Sequence, residues 1–330
     1  MMETVSSYQN KKVCLLTIIV NRGKSKKILH SAKNLGITRA NVLLSEGMVG
    51  NHILKILAMN ETKKEVLIFI IREEREIEIL DYFTSKFHFN KPNTGIAFTM
   101  PIITPILDQP QKYTKQTAYV NVITIINESL AEDFVDFVQS KGFIGGTICK
   151  ARGTANIFNP LIKTKAQSAK ALVMMITALD KLETLMDLIL DKYNIHEENT
   201  GIVAVLPVNQ VTGLPHIIID NPTDVIMKGQ MLTAIVPAGQ SEEFLQKTKT
   251  LGATGGTILH SRFCNLTETA GLFSFVVDTE EEILITIVNE DIAENIQKIT
   301  LKLIFENQIE NPHAFAIPVL QAKGIRINNE

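Results

Sequence analysis

Residues 252–262 read GATGGTILHSR, and the chain carries this stretch in three versions. Residues 142–153 read GFIGGTICKARG, and residues 36–47 read GITRANVLLSEG. Each version leaves a helix-like segment at a glycine, crosses a short link and enters an apolar strand-like run that ends at a charged residue. Other anchors keep the same spacing. TGIAFTMP at 94–101 and TGIVAVLP at 200–207 lie 106 residues apart, as do Gly36 and Gly142, and Val20-Asn21 and Ile126-Asn127. Gly142 and Gly252 lie 110 apart, and Pro207 and Pro318 lie 111 apart. Such a period exceeds the roughly 20–50 residues of a solenoid repeat. It is the size of a small complete domain. The chain reads as one fold written three times.

The length of 330 residues accommodates three such domains. Hydrophobic residues make up 45% and charged residues 21%, which places the chain with ordinary globular proteins. A net charge of −2 gives no global attraction for nucleic acid. The run Lys24-Ser25-Lys26-Lys27 lies in a helical pattern and reads as a solvated face. Cys14, Cys149 and Cys264 are far apart and lack metal-ligand spacing, so buried thiols in a reducing compartment are expected. The leading MMETVSSYQNKK lacks the apolar core of a signal peptide. No apolar run approaches the roughly 18–20 residues of a membrane span. The expectation is a cytoplasmic protein that does not cross a membrane.

Within the first version, 13–20 is a buried strand and 24–35 a helix with Ile28, Leu29, Ala32 and Leu35 on one face, closed by Gly36. Strands follow at 40–45 and 65–71, with 46–62 irregular between them. A second helix spans 75–89 and a last strand 96–102. The second version repeats this order: strand 119–126, a helix opened by the capping-box pattern Ser129-Leu130-Ala131-Glu132, strands 146–151 and 171–177, helix 181–193 and strand 201–207. The third has strand 231–236, a helix capped by Ser241, the GGTILHSR strand, strand 282–288, a helix striped by Ile292, Ile296, Ile299 and Leu303, and a strand at 315–320. The stretches 103–116 and 208–230 hold Pro, Gly, Asn and Asp and read as linkers.

The order β-α-β-β-α-β is that of a ferredoxin-like unit, with both helices on one face of an antiparallel sheet. The other face of such a sheet usually alternates with polar residues. Here the third strands, with IFII at 68–71 and VMMI at 173–176, are apolar on both faces. The expected fold is therefore α+β: three ferredoxin-like repeats at 11–107, 117–214 and 229–323, packed sheet to sheet as an intramolecular pseudo-trimer. Because the trimer is already internal, the chain is expected to be a monomer.

The motifs GGTILHSR, GGTICKARG, TGIAFTMP and TGIVAVLP resemble those of the P-II nitrogen regulatory proteins, and more closely their shorter P-II-like relatives. That resemblance covers nearly all of 11–320. It implies a non-enzymatic signal-transduction protein that senses a small ligand at clefts between repeats. An adenine nucleotide is the implied ligand, with 2-oxoglutarate sensed beside it. It also implies a regulated partner protein, a membrane transporter or a metabolic enzyme, bound through the loops after the second strands at 46–62, 153–169 and 263–280. By position, the family's adenine-side Thr corresponds to Thr147 and Thr257, with Asn41 in the first repeat. Its loop-entry basic residue and glycine correspond to Arg152-Gly153 and to Arg262, with Glu46-Gly47 in the first repeat. Its turn before the last strand corresponds to Gly95 and Gly201, with Pro312 in the third repeat, and the family's phosphate-binding Lys is absent from all three. The three clefts are thus expected to be unequal, an anion favouring those with Arg152 or Arg262 over one built on Glu46.

No P-loop, HExxH, nucleophile elbow or paired Cys and His occurs, and the seven histidines are scattered, so an enzyme and a metal site are not expected. A trimeric scaffold or metal-tolerance protein of the CutA type, without nucleotide binding, is the alternative. An RNA-binding module shares the element order but needs exposed aromatics on its sheet, where the third strands offer Phe69.

Overall fold

The computed structural model describes residues 12–48, 61–91, 93–103, 114–143, 145–154, 168–195, 197, 200–214, 223–253, 255–267, 279–306 and 313–325. The architecture is α+β. The first segment holds β1 (Val13–Asn21), α1 (Ser25–Asn34), β2 (Arg39–Met48), β3 (Glu61–Arg72), α2 (Glu76–Phe87) and β4 (Gly95–Pro101). After β5 (Thr114–Thr117), the second holds β6 (Tyr119–Asn127), α3 (Ala131–Ser140), β7 (Thr147–Gly153), β8 (Ser168–Ala178), α4 (Leu182–Tyr193) and β9 (Gly201–Val208). After β10 (Gln210–Thr212) and β11 (Thr223–Ile226), the third holds β12 (Gly229–Pro237), α5 (Ser241–Lys249), β13 (Thr257–Asn265), β14 (Thr279–Asn289), α6 (Glu290–Glu306) and β15 (His313–Val319), and β16 (Gln321–Lys323) follows.

Strand order is the same in each segment. β1 lies between β3 and β4 with β2 outside β3, β6 lies between β8 and β9 with β7 outside β8, and β12 lies between β14 and β15 with β13 outside β14, all antiparallel. These strands join with β10 and β16 into one 14-stranded sheet, while β5 and β11 pair separately.

Alternation along each strand sends successive side chains to opposite faces, and here both faces are apolar because both are covered. One face of all three segments feeds a common core: Leu15, Ile19 and Phe98, then Ile123, Ile125 and Leu206, then Met231, Ile235 and Ile317. The other face packs on the helices. Leu16, Ile18 and Phe69 meet α1 and α2, and Val122, Val173 and Met175 meet α3 and α4. Phe69 therefore lies under α2, stacked 6.4 Å from Phe83, and offers no platform for RNA bases.

Helix ends repeat as well. Gly36, Gly142 and Gly252 all have positive φ, and in each case the next amide reaches back five residues: Ile37 to the Ala32 carbonyl, Phe143 to Val138, Ala253 to Thr248. This is the Schellman closure, which favours glycine because it lacks a Cβ.

Helix starts differ from expectation. Ser129 makes no cap, since residues Glu128–Leu130 form a 3-10 turn ahead of α3. Ser241 is the first residue of α5, not its cap, and its hydroxyl donates to Glu282. At α1 and α5 a carboxylate from the third strand takes the place of a cap. Glu65 Oε2 accepts from the amides of Gly23 and Ser25, and Glu282 Oε2 accepts from those of Gly239 and Ser241. Carboxylates are favoured at helix N-termini.

The expected irregular stretches are also shorter than the sequence suggests. β2 runs to Met48, β3 begins at Glu61, β7 includes Gly153 and β13 runs to Asn265. The rest of those loops, 49–60, 155–167 and 268–278, lies outside the described residues, as does Pro312. The linkers are not bare either: β5, β10 and β11 arise within them.

Candidate functional site

The second strands continue because each finds a partner in another segment. Gly47 of β2 pairs with Thr147 of β7, Gly153 of β7 pairs with Thr257 of β13, and Phe263 of β13 pairs with Asn41 of β2. The pairings run first to second, second to third and third to first. The segment tails run the cycle in reverse, first to third, third to second and second to first. The amides of Ile103, Asn209 and Leu320 donate to the carbonyls of Ala316, Thr99 and Val205 respectively. The three junctions between second strands bring together most of the candidate residues.

At the second-to-third junction Thr257 is buried, and a Cβ at Gly153 would stand 2.8 Å from Ser168 Oγ, so that hydroxyl would have to turn away. Thr154 donates to the Gly256 carbonyl and accepts from its amide. Arg152 crosses to the third segment. Its Nη2 lies 2.6 Å from Glu282 Oε1 and 3.3 Å from Ser241 Oγ, and its Nη1 lies 3.2 Å from Glu242 Oε1. Burial pushes the Glu282 carboxyl up. The Ser241 hydroxyl, the Arg152 guanidinium and the Gly239 and Ser241 amides outweigh it, so the net shift is downward. One guanidinium between two carboxylates makes an internal clasp. Arg152, expected to face an anionic ligand, is engaged in this structure by these two carboxylates.

At the third-to-first junction, Asn41 replaces Thr and uses both amide hydrogens, reaching Glu281 Oε2 at 2.7 Å and Ser261 Oγ at 3.2 Å. Glu281 is 4% exposed. Burial pushes its carboxyl up to about 6, against the opposing pull of the Asn41 bond and the Arg39 charge. Arg262 is exposed on β13. A shallow pocket lined by Arg39, Asn41, Ile68, Ile70, Ile235 and Phe315 opens beside Asn41.

At the first-to-second junction Thr147 is buried, and Glu46 stands opposite Ile148.

The junctions are also unequal on a neighbouring rung. Asn21 faces Lys64, Asn127 faces Lys170, and Pro237 faces Glu281. Lys64 and Lys170 each bond the opposite Asn side chain, and burial pulls both amines down. The third segment places a buried carboxylate where the others place a half-buried amine. The aligned triplet KKE at 63–65, AKA at 169–171 and EEE at 280–282 was readable in the sequence.

Gly95 and Gly201 stand opposite Val20 and Ile126, one position before the Asn21 and Asn127 rungs. A Cβ at Gly95 would stand 3.0 Å from the Ile19 carbonyl oxygen, and one at Gly201 2.9 Å from that of Ile125. From the other side, a Cβ on Gly213 would run into the Gly95 carbonyl, and one on Gly324 into that of Gly201. The neighbouring Thr94 and Thr200 hydroxyls donate to His88 and Lys91, and to Asn194 and Glu197. Both turns are thus packed against the tail of another segment.

Among the described residues no group of three or more His, Cys, Asp or Glu side chains could hold a metal ion. All three cysteines are buried, and burial together with Glu46 pushes the Cys149 thiol up to about 12. No helix among the described residues is long and apolar enough to cross a membrane.

No family model matches the chain, and no curated protein matches it. A crystal structure of aspartate kinase from Synechocystis is similar at 10% identity and a TM-score of 0.23. That match covers 93% of this chain and 43% of the kinase chain, so the chain spans less than half the length of that neighbour. A TM-score at this level carries no argument about fold or function.

Proposed function

We propose that the chain is three ferredoxin-like units, at 11–107, 117–214 and 229–323, closed into an intramolecular pseudo-trimer, and that it works as a P-II-like regulatory protein. The observation that carries this reading is the closed cycle of second-strand pairings, Gly47 to Thr147, Gly153 to Thr257 and Phe263 to Asn41. Ligand sensing belongs at the junctions, where polar side chains of two units meet. Partner binding belongs to the loops that leave β2, β7 and β13. In a homotrimer symmetry makes all sites alike. Fusion removes that constraint, and Lys64, Lys170 and Glu281 on one rung make the junctions chemically distinct. We therefore infer that at most two of the three take an anionic ligand, those beside Lys64 and Lys170.

One observation favours the runner-up, a CutA-like scaffold without nucleotide binding: Arg152 is held by Glu282 and Glu242. Thermal unfolding with ATP, ADP, AMP, cyclic nucleotides, 2-oxoglutarate and bicarbonate decides between them. A ligand that binds the folded state alone raises stability by RT ln(1 + [L]/Kd), about 2.7 kcal/mol at a hundredfold excess over Kd. The regulatory reading predicts a saturable rise with at least one of these ligands, lost on Lys170→Ala or Lys64→Ala and with fewer than three sites per chain by calorimetry. No rise with any of them favours the scaffold, and three equal sites contradict the inequality.

A further inference from the structure

The three interfaces of the ring use equivalent positions but not equivalent chemistry. The first unit meets the second through the shortest second-strand ladder among the described residues, Glu46 with Ile148 and Gly47 with Thr147. The ladder between the second and third runs from Gly153–Thr257 to Ala151–Leu259, and that between the third and first from Arg262–Val42 to Asn265–Arg39. Side chains tie the two longer ladders. Arg152 reaches Glu282 and Glu242 across the second-to-third interface, and Asn41 reaches Glu281 and Ser261 across the third-to-first.

Unpaired polar atoms collect where the ladder is shortest. On the common-core side Leu15 faces Met100 and Met231 faces Ile317, whereas Asn121 faces Leu206. Asn121 is fully buried. Its Nδ2 reaches Met100 Sδ of the first unit at 3.7 Å, a weak acceptor, and its Oδ1 has no partner among the described residues. The segment tails show the same exchange. Ile103 packs into the helix-side core of the third unit and Leu320 into that of the second. The equivalent residue of the second segment is Asn209, whose backbone amide donates to the Thr99 carbonyl of the first unit. Both polar atoms of its side chain are buried without a partner among the described residues, and so is the hydroxyl of Ser45 beside Glu46. At the second-to-third interface Arg152 Nε also lacks a partner, but both Nη atoms of that guanidinium are bonded to carboxylates. Buried polar groups left unpaired are destabilising, which makes the first-to-second interface the weakest of the three.

We propose that the ring has a seam: its first and second units part reversibly while the other two interfaces stay closed. Proteins open in cooperative units whose order follows local stability. The first segment runs on into the second, so the parted units remain tethered and reclose. Opening separates β2 from β7 and β10 from β4. It bares the common-core side of β7 behind Ile148, where Cys149 is buried. In the closed ring burial and Glu46 both oppose the Cys149 thiolate, the form that reacts. The seam sets where the ring opens and does not depend on what the junctions bind.

The native cysteines report on three places. Cys149 lies behind the seam, Cys264 faces Ala40 across the third-to-first interface, and Cys14 lies in the helix-side core of the first unit. The full chain is treated with N-ethylmaleimide near neutral pH, and modification at each cysteine is followed by peptide mass analysis. Each rate is divided by the rate at the same site in the urea-unfolded chain. On that scale Cys149 should react about tenfold faster than Cys264 and Cys14, or more. Mild urea should accelerate Cys149 less steeply than Cys14, because opening the seam exposes less surface than unfolding. Asn121→Leu with Asn209→Leu gives the seam the leucines that the first segment has at 15 and the third at 320. It should slow Cys149 about tenfold, and more than it slows Cys264 or Cys14. The proposal is overturned if Cys264 reacts as fast as Cys149, if urea accelerates Cys149 as steeply as Cys14, or if the leucine variant leaves the Cys149 rate unchanged. Should that variant not fold, the wild-type rates and their urea dependence still decide.

Discussion

Replacing Glu282 by Ala should lower the unfolding free energy by about 3–5 kcal/mol, the range for breaking a buried ion pair by removing one partner. Glu282 is 2% exposed and closes three structures at once. It caps α5 through the Gly239 and Ser241 amides, fixes the Ser241 hydroxyl, and holds Arg152 from the second segment. Arg152→Ala should cost less, about 3 kcal/mol, because the helix amides and Ser241 still satisfy the carboxylate. The two effects should not add, since both variants break the same bond. Denaturant titration of the two single variants and the double variant measures that coupling. The pH response carries a defined sign. A carboxyl held below its ordinary value contributes stability that is complete above about 4.5 and lost as pH falls through the lowered value. Wild type should therefore lose stability in that acid range, and Glu282→Ala should lack that part of the loss. Equal stability of Glu282→Ala and wild type at pH 7 would show the clasp to be inert.

Its neighbour Glu281 should behave in the opposite way. Burial raises this carboxyl from 4.5 to about 6. The charged form is thus disfavoured in the folded chain, and the cost is fully present above pH 6. As pH falls from 6 to 4.5 the folded state takes up the proton first and gains stability. Raising the carboxyl this far corresponds to about 2 kcal/mol. Glu281→Gln keeps an acceptor for Asn41 and removes the charge. It should be about 2 kcal/mol more stable than wild type at pH 8, with the difference vanishing near pH 4.5. A less stable Glu281→Gln at pH 8 would mean that the carboxylate is needed at the third-to-first junction as a charge.

The opposed behaviour of two adjacent glutamates marks how far sequence reading reached. The offsets between glycine anchors pointed to a strand order that recurs along the chain, as it does in β1–β4, β6–β9 and β12–β15, and the apolar third strands implied that both sheet faces are covered. Periodicity also located the helices, because burial on one stripe is a local property. What escaped depends on contacts between distant residues. Arg152 and Glu282 are 130 positions apart, so a basic residue beside a glycine read as an anion site and not as half of a clasp. The ends of β2, β7 and β13 look irregular in isolation because part of their pairing comes from other segments. Ser241 read as a cap, but Glu282 reaches across from the third strand and takes that role at α5. Gln297 and Thr300 sat in plain view on the Ile292, Ile296, Ile299 and Leu303 stripe. Only comparison with Leu80 and Phe83, and with Met186 and Ile189, shows that they interrupt a core.

The account rests on closure of the ring within one chain, and the closing contact is β13 of the third segment on β2 of the first. Native Cys264 stands directly opposite Ala40 there, and both are buried. Paired strand positions bring Cα atoms to about 4.5–5.5 Å, inside the range a disulfide spans. Oxidative refolding of Ala40→Cys followed by non-reducing mass analysis and peptide mapping is the most direct measurement. The account predicts a link between positions 40 and 264 within a single 36.7 kDa chain. A link that joins two chains, or a Cys264 that stays reduced or pairs elsewhere while the chain is folded, would contradict it.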